Sequence, residues 1–446
     1  MRYFRRYALL LLALGVLGGL ALWQTLPWWV NMAPAPVQQR LPHQVLALAS
    51  TPLPTALPAP TQDRLAATAV IIIPTLPPPA ATATSQPTTQ PTNQPSRQPT
   101  IQPTRQPTRP PTATPGPTAV RLTGLQITPQ KFNNCGPTNL SIVLNYYGVP
   151  DDQFAVAAVA RPTYEDRNVS PEELADYVNN QTPLRAVVLR GGRLETLTQL
   201  LAAGFPVIVE KGLLPSEWEG WMGHYLTVIG YDEAAQEFIS LDTFLGPWDG
   251  SGRTDSFETM AEYWAQFNHV YLVVYPAERE TAVAAIIGDT LTDPVLMWQR
   301  AAEQAQQETG RAPENGFAWF NLGSSLTRLG KLTGEQAYFV NAAAAFDRAL
   351  TAGLPWRMLW YQFEPYEAYL RNGRADDVLT LTTATLQSTG GQFVEETHLY
   401  RGYALLAQGD ESGAKAAWLQ ALAINPDLAE ASQALAALHA SGDASR

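Results

Sequence analysis

Apolar residues fall at two different spacings after residue 120, and the change of spacing marks a change of architecture. Leu140, Val143, Leu144 and Tyr147 recur at i, i+3, i+4 and i+7, and Gly148 follows, which predicts an amphipathic helix and its stop. Ser170-Pro171-Glu172-Glu173 has the form of a capping box with Pro at the first helical position, and it opens a second helix to about Asn180. A third helix is predicted over 194–203, closed by Gly204. Short runs of β-branched and aromatic residues lie between them, at 186–189, 206–210, 225–231, 238–241 and 269–275. Such runs fit a half-buried antiparallel sheet, and a helix is predicted over 256–267. Residues 121–277 therefore read as one α+β domain.

From 278 to 446 the pattern is nearly all helical and rich in Ala and Leu. A connecting helix is expected over 278–312. Beyond it, Trp319-Phe320-Asn321-Leu322-Gly323 resembles the W-x-x-L-G start of a tetratricopeptide repeat, with Phe346 and Ala349 in its second helix. Gly402, Gly409, Ala414, Trp418, Ala421 and Pro426 fall at the offsets of a cleaner unit, and Tyr369 and Gly373 mark a degenerate one between. The resemblance implies an all-α repeat domain over 313–446, whose stacked helix pairs offer a groove to a protein partner. Trp319, Leu322, Gly402 and Trp418 should then pack between helices.

The N-terminal part is different in kind. Arg2, Arg5 and Arg6 precede an apolar stretch over 7–23 that resumes at Trp28, Trp29 and Val30. Residues 1–31 read as a transmembrane signal-anchor, or as a cleaved signal peptide, and both place the body outside the cell. Residues 32–120 are rich in Pro, Thr and Gln, and the phrase Gln-Pro-Thr/Ser recurs from Gln86 to Thr108. Too few apolar groups are present there to offset ordering entropy, so a disordered, extended stalk is expected. The apolar island Ala69-Val70-Ile71-Ile72-Ile73 is too short for a domain and reads as a contact point or partner strand.

Charge narrows the partners. The net charge is −11, yet residues 1–121 hold nine Arg and one acid, Asp63, so the folded body is strongly acidic. That argues against nucleic acid, which needs Lys and Arg at its phosphates. One cysteine excludes an intrachain disulfide, and one cysteine with scattered histidines offers neither a metal site nor a cofactor motif.

That cysteine, Cys135, stands at the start of the first predicted helix, where free N–H groups and the helix dipole favour a thiolate. A nucleophilic thiolate needs a base. Of five histidines, His43 lies in the stalk and His398 and His439 in the helical region, which leaves His224 and His269. His224 opens a strand within Gly223-His224-Tyr225, and the following strand ends in Ser240-Leu241-Asp242. Adjacent antiparallel strands would bring Asp242 beside His224 as the group that orients the ring. Asp232 is the other candidate and is expected only to cap a turn.

Taken together, Gln130-x-x-x-x-Cys135-Gly136-Pro137, Gly223-His224-Tyr225, Gly230-Tyr231-Asp232 and Asp242 resemble the bacteriocin-processing, or thirty-nine-like, peptidases of the papain-like clan. The resemblance covers 121–277. It implies Cys135 as nucleophile, His224 as base, Asp242 as orienter and Gln130 as oxyanion-hole donor beside the Cys135 N–H. Thr243 departs from the pattern, since Asp-Pro is common there. The expectation is an exported, membrane-tethered cysteine peptidase, a thiol amide hydrolase or a related acyl transferase, acting on a peptide or protein substrate. The alternative is a non-catalytic extracellular interaction module that keeps the fold.

Overall fold

The computed structural model describes residues 116–216 and 219–444, together with Thr25, 56–60, 71 and 73. Apart from Thr25, the segment at 7–30 and the Gln-Pro-Thr repeats lie outside the described residues. Among the described residues no helix is long and apolar enough to cross a membrane.

Strand alternation builds the first domain. Seven strands, β1 (Ala119–Arg121), β2 (Leu184–Leu189), β3 (Val207–Leu213), β4 (Met222–Asp232), β5 (Glu237–Leu241), β6 (Arg253–Ser256) and β7 (Tyr271–Pro276), form one antiparallel sheet ordered β2-β7-β3-β4-β5-β6. β1 pairs with the far end of β4. Gly230 is needed there, because a Cβ would stand 2.5 Å from the Val120 carbonyl oxygen.

Successive residues of a strand face opposite sides. Ile208, Leu272 and Val274 face helices α1 (Cys135–Tyr146), α2 (Gln153–Ala160) and α3 (Pro171–Gln181), packing on Leu140, Val143, Leu144, Val156 and Leu174. Val207, Val209 and Val273 face the other way, toward α4 (Leu194–Ala202) and α5 (Phe257–Ala265). Helix α2 and strands β1 and β6 have no counterpart in the sequence expectation. α2 is short and almost wholly apolar, and it is set by Asp152, whose carboxylate accepts the Phe154 and Ala155 N–H groups. β6 is a polar four-residue edge strand.

The single connecting helix expected over 278–312 is two helices, α6 (Glu280–Ile287) and α7 (Pro294–Arg311). Gly288, at φ 72°, ends the first, and Asp293 caps the second with Pro294 in its first turn. They are not a tether. Val283, Ile287, Met297 and Trp298 belong to the same apolar cluster as Val207, Val209 and Val273. That cluster continues through α8 (Gly316–Thr333), α9 (Gln336–Ala352), α10 (Glu364–Arg371) and α11 (Ala375–Gln387) to Ala404 in α12 (Glu395–Ala407). α13 (Glu411–Ile424) and α14 (Ala429–Ala444) finish the helical layer.

Leu322, Gly402 and Trp418 are buried between helices. Trp319 is not, which corrects the expectation. It is half-buried under the Arg348 guanidinium, 4.6 Å from its ring, with its Nε1–H bonded to the Pro313 carbonyl at 2.8 Å. The apolar island reaches this layer as well. Ile71 is buried there, with its carbonyl accepting from Gln306, and Leu57 donates its N–H to the Leu354 carbonyl.

Candidate active site

Cys135 is the first residue of α1 and is partly exposed. At that position its N–H has no acceptor within the helix. The loop before it is held by buried polar side chains that the sequence reading did not single out. Gln153 accepts from the Lys131 N–H at 2.8 Å and from the Thr138 hydroxyl at 3.1 Å. Arg161 donates to the Phe132 carbonyl and to Asn134 Oδ1. Asn139, one turn along α1, donates to the carbonyls of Cys135 and Tyr225, both at 2.9 Å, and so ties the helix to β4. The available signal was a pair of polar residues, Thr138 and Asn139, on the otherwise buried start of a helix.

β4 carries His224 toward this helix end, and the end of β5 brings up Asp242. His224 Nε2 lies 3.0 Å from Asp242 Oδ1, with both side chains buried. The carboxylate is an acceptor, so Nε2 holds the proton and Nδ1 is left for the thiol. Asp242 Oδ1 is itself fixed by the Phe244 and Leu245 N–H groups, at 2.9 and 2.8 Å. Of the two histidines left open, His269 is elsewhere. It is buried against Gln304, and burial presses its pKa down to about 4. Asp232 accepts the Ala234 and Ala235 N–H groups and caps a turn.

The charges interlock. Burial alone would push the Cys135 thiol up, but the hydrogen bond and charge of His224, with the N–H groups of Tyr225 and Gly136, hold it below its ordinary value. Burial likewise opposes the charged form of His224, but the Asp242 carboxylate and the thiolate carry it up to about 9. Asp242 would be raised by burial, and His224 with two backbone N–H groups brings it down to about 2. The resting state this favours is thiolate and imidazolium.

Gln130 packs beside the same loop. Its N–H donates to the Thr243 carbonyl at 3.0 Å, and the Thr243 hydroxyl donates to its Oε1 at 2.8 Å. Thr243 is buried, and Asn139 donates to its hydroxyl at 3.3 Å. A proline after Asp242 could not make the hydroxyl bond. The departure in sequence thus fixes the Gln130 amide through its oxygen and leaves the NH₂ as donor.

Comparison with known proteins follows this geometry. Residues 117–272 match the model of the Peptidase_C39 like family, about a third of the chain. This domain is C39-like. A second model, the PT disordered repeat, matches residues 78–119. Solved structures similar to the chain include a C39-like peptidase from Bacillus anthracis, at 18% identity and TM-score 0.29, covering 35% of this chain and 96% of that one. A double glycine motif protease of an AMS/PCAT transporter, in complex with the leader peptide, has 18% identity and TM-score 0.27, covering 35% and 95%. The peptidase domain of Streptococcus ComA, a bifunctional ABC transporter involved in quorum sensing, has 16% identity and TM-score 0.27, covering 34% and 99%. No curated protein matches. The C39-like domain of this chain is joined to helices α6–α14, which lie beyond the family match.

Proposed function

We propose that the C39-like domain is a cysteine peptidase, a thiol-dependent amide hydrolase acting on a peptide substrate. The observation that carries this reading is the buried His224–Asp242 pair beside a helix N-terminus that begins at Cys135 and is tied to β4 by Asn139. In this account the Cys135 thiolate attacks the scissile carbonyl. The oxyanion accepts from the Cys135 N–H and the Gln130 NH₂. His224 gives its Nδ1 proton to the leaving amine as the C–N bond breaks, leaving a thioacyl enzyme. Water, deprotonated by His224, then attacks the thioester carbonyl, the C–S bond breaks, and the acid leaves. Asp242 keeps the ring in one tautomer throughout. We further propose that the N-terminal segment tethers the protein to the membrane with its body outside, and that the helical layer acts as a tetratricopeptide-like region that helps bind protein.

The test is a screen of peptide and isopeptide substrates with untreated protein and with protein whose thiol has been alkylated. Turnover that survives alkylation would remove the cysteine from the reaction and end the proposal.

The pH profile is a second check. The ion pair exists above the depressed pKa of Cys135 and below that of His224, about 9. kcat/KM should rise as the Cys135 thiol ionises and fall as pH passes about 9. Asp242→Asn removes the main support of the imidazolium, so the alkaline limb should move down toward about 6.5. An unmoved limb would assign it to another group. Stability follows the same signs. The contribution of Asp242 is present above its unfolded value, about 3.9, and is lost as pH falls through about 2.

A further inference from the structure

A cavity of about 960 Å³ lies between the C39-like domain and the helical layer. Its walls come from both: the start of α3, Glu210 of β3, Ser324 and Arg328 of α8, Tyr361 before α10, and Glu396 of α12. One end borders the strand that carries His224. Glu210 stands opposite Tyr225 in the β3–β4 register, and Asn139 ties the Tyr225 carbonyl to that of Cys135. Tyr361 covers Gly223, the residue before His224, so closely that a Cβ on Gly223 would meet its ring at 3.1 Å.

The lining is unbalanced in charge. It holds nine carboxylate side chains and four cations. Three of those cations are already paired: Arg190 with Glu172, Arg328 with Glu364, and Arg371 with Glu367. Six carboxylates are left facing Lys331. Glu210 is 5% exposed and has no ion-pair partner among the described residues. Two polar groups in the wall lack any hydrogen bond, the Ser324 hydroxyl, on a residue 3% exposed, and Glu396 Oε2. Buried groups without partners are costly and point to something that completes them. The rings of Tyr361, Tyr400 and Tyr403 add faces that attract cations.

We propose that this cavity receives side chains of the substrate, that it takes a lysine- or arginine-bearing peptide, and that Glu210 is the specificity-determining residue beside the scissile bond. The inference rests on the peptidase reading and adds to it the class of substrate. The helical layer then supplies part of the substrate site itself. A cation beside Glu210 offsets the burial that otherwise keeps its carboxyl protonated. An acidic peptide would find only Lys331 unpaired among the cations of this wall.

The test uses the full chain carrying Cys135→Ala and fluorescent peptides that differ only in Arg against Gln, read by anisotropy at low and high salt. The Arg peptide should bind about tenfold tighter or better, and the advantage should shrink with salt. Glu210→Gln should abolish the preference. Glu430→Gln, at an exposed rim position that leaves the fold untouched, should reduce it. Equal binding of the two peptides would overturn the inference, and so would a preference that both variants keep. Labelling of Cys135 in the parent by a small electrophile is measured in parallel. A fast-labelling thiol with no Arg preference leaves the peptidase reading and removes this inference. An Arg preference with an inert thiol supports the cationic site and removes the peptidase reading.

Discussion

His224→Ala should bring peptide turnover down to that of Cys135→Ala, and it should slow labelling of Cys135 by a small electrophile at neutral pH by as much as ~30-fold. The magnitude follows from ionisation. An ordinary thiol of pKa about 8.5 is only about 3% thiolate at pH 7. In the parent, the hydrogen bond and charge of His224 are the main groups that hold the thiol down against burial. Without them burial acts unopposed except by the Tyr225 and Gly136 N–H groups. Because Cys135 is the only cysteine, mass spectrometry reads its labelling without ambiguity. Asp242 keeps its bonds to the Phe244 and Leu245 N–H groups in the variant, so the β5 end stays in place. Labelling as fast as in the parent would mean that the helix end alone sustains the thiolate, and His224 would lose its assigned role.

Trp418→Ala should destabilise the protein by about 3–5 kcal/mol, the usual cost of emptying a large aromatic site in a core. Trp418 is 1% exposed, in a cluster with Leu399, Ala414, Ala421 and Ala431. Its Nε1–H bonds the Leu399 carbonyl at 3.1 Å. The indole lies where a side chain on residue 402 would go, and Gly402 leaves that space. The neighbours are mostly alanines, too short to close the gap. Urea unfolding of parent and variant, followed by far-UV circular dichroism, measures the difference. Equal midpoints would show that the α12–α13 contact is not what holds this end of the helical layer.

The elements were legible where one signal dominated. Leu140, Val143, Leu144 and Tyr147 repeat every helical turn, and Ser170 with Glu173 makes the expected reciprocal cap. The strands that carry the site were legible because they are runs of apolar, β-branched and aromatic residues. β6 reads Arg-Thr-Asp-Ser and has no such run, because an edge strand there buries little. The split at Gly288 fell between two helix-favouring runs, 280–287 and 294–311, although Gly288 and Asp293-Pro294 carried its signal. His224 and Asp242 could be paired from strand order, since β4 and β5 are sequential and antiparallel, whereas Cys135 was matched to His224 only by elimination among the five histidines. The hold of Thr243 on Gln130 could not, because it joins residues 113 apart through a tertiary contact. Nor could Tyr361, which reaches Gly223 from the far side of the helical layer.

The continuous apolar cluster from Val207 to Ala404 has a consequence for synthesis. The chain emerges N-terminus first, and the sheet is complete once β7 has left the ribosome. Its rear face, with Val209, Val273 and the Trp264 that α5 packs on it, is then still short of the partners that α7 to α12 supply. Gly191 illustrates the dependence, because the backbone of Ala301 presses where its Cβ would be. A nascent chain stalled near Pro276 would therefore expose apolar surface to chaperones, and a fragment cut there would aggregate rather than stand as a smaller domain.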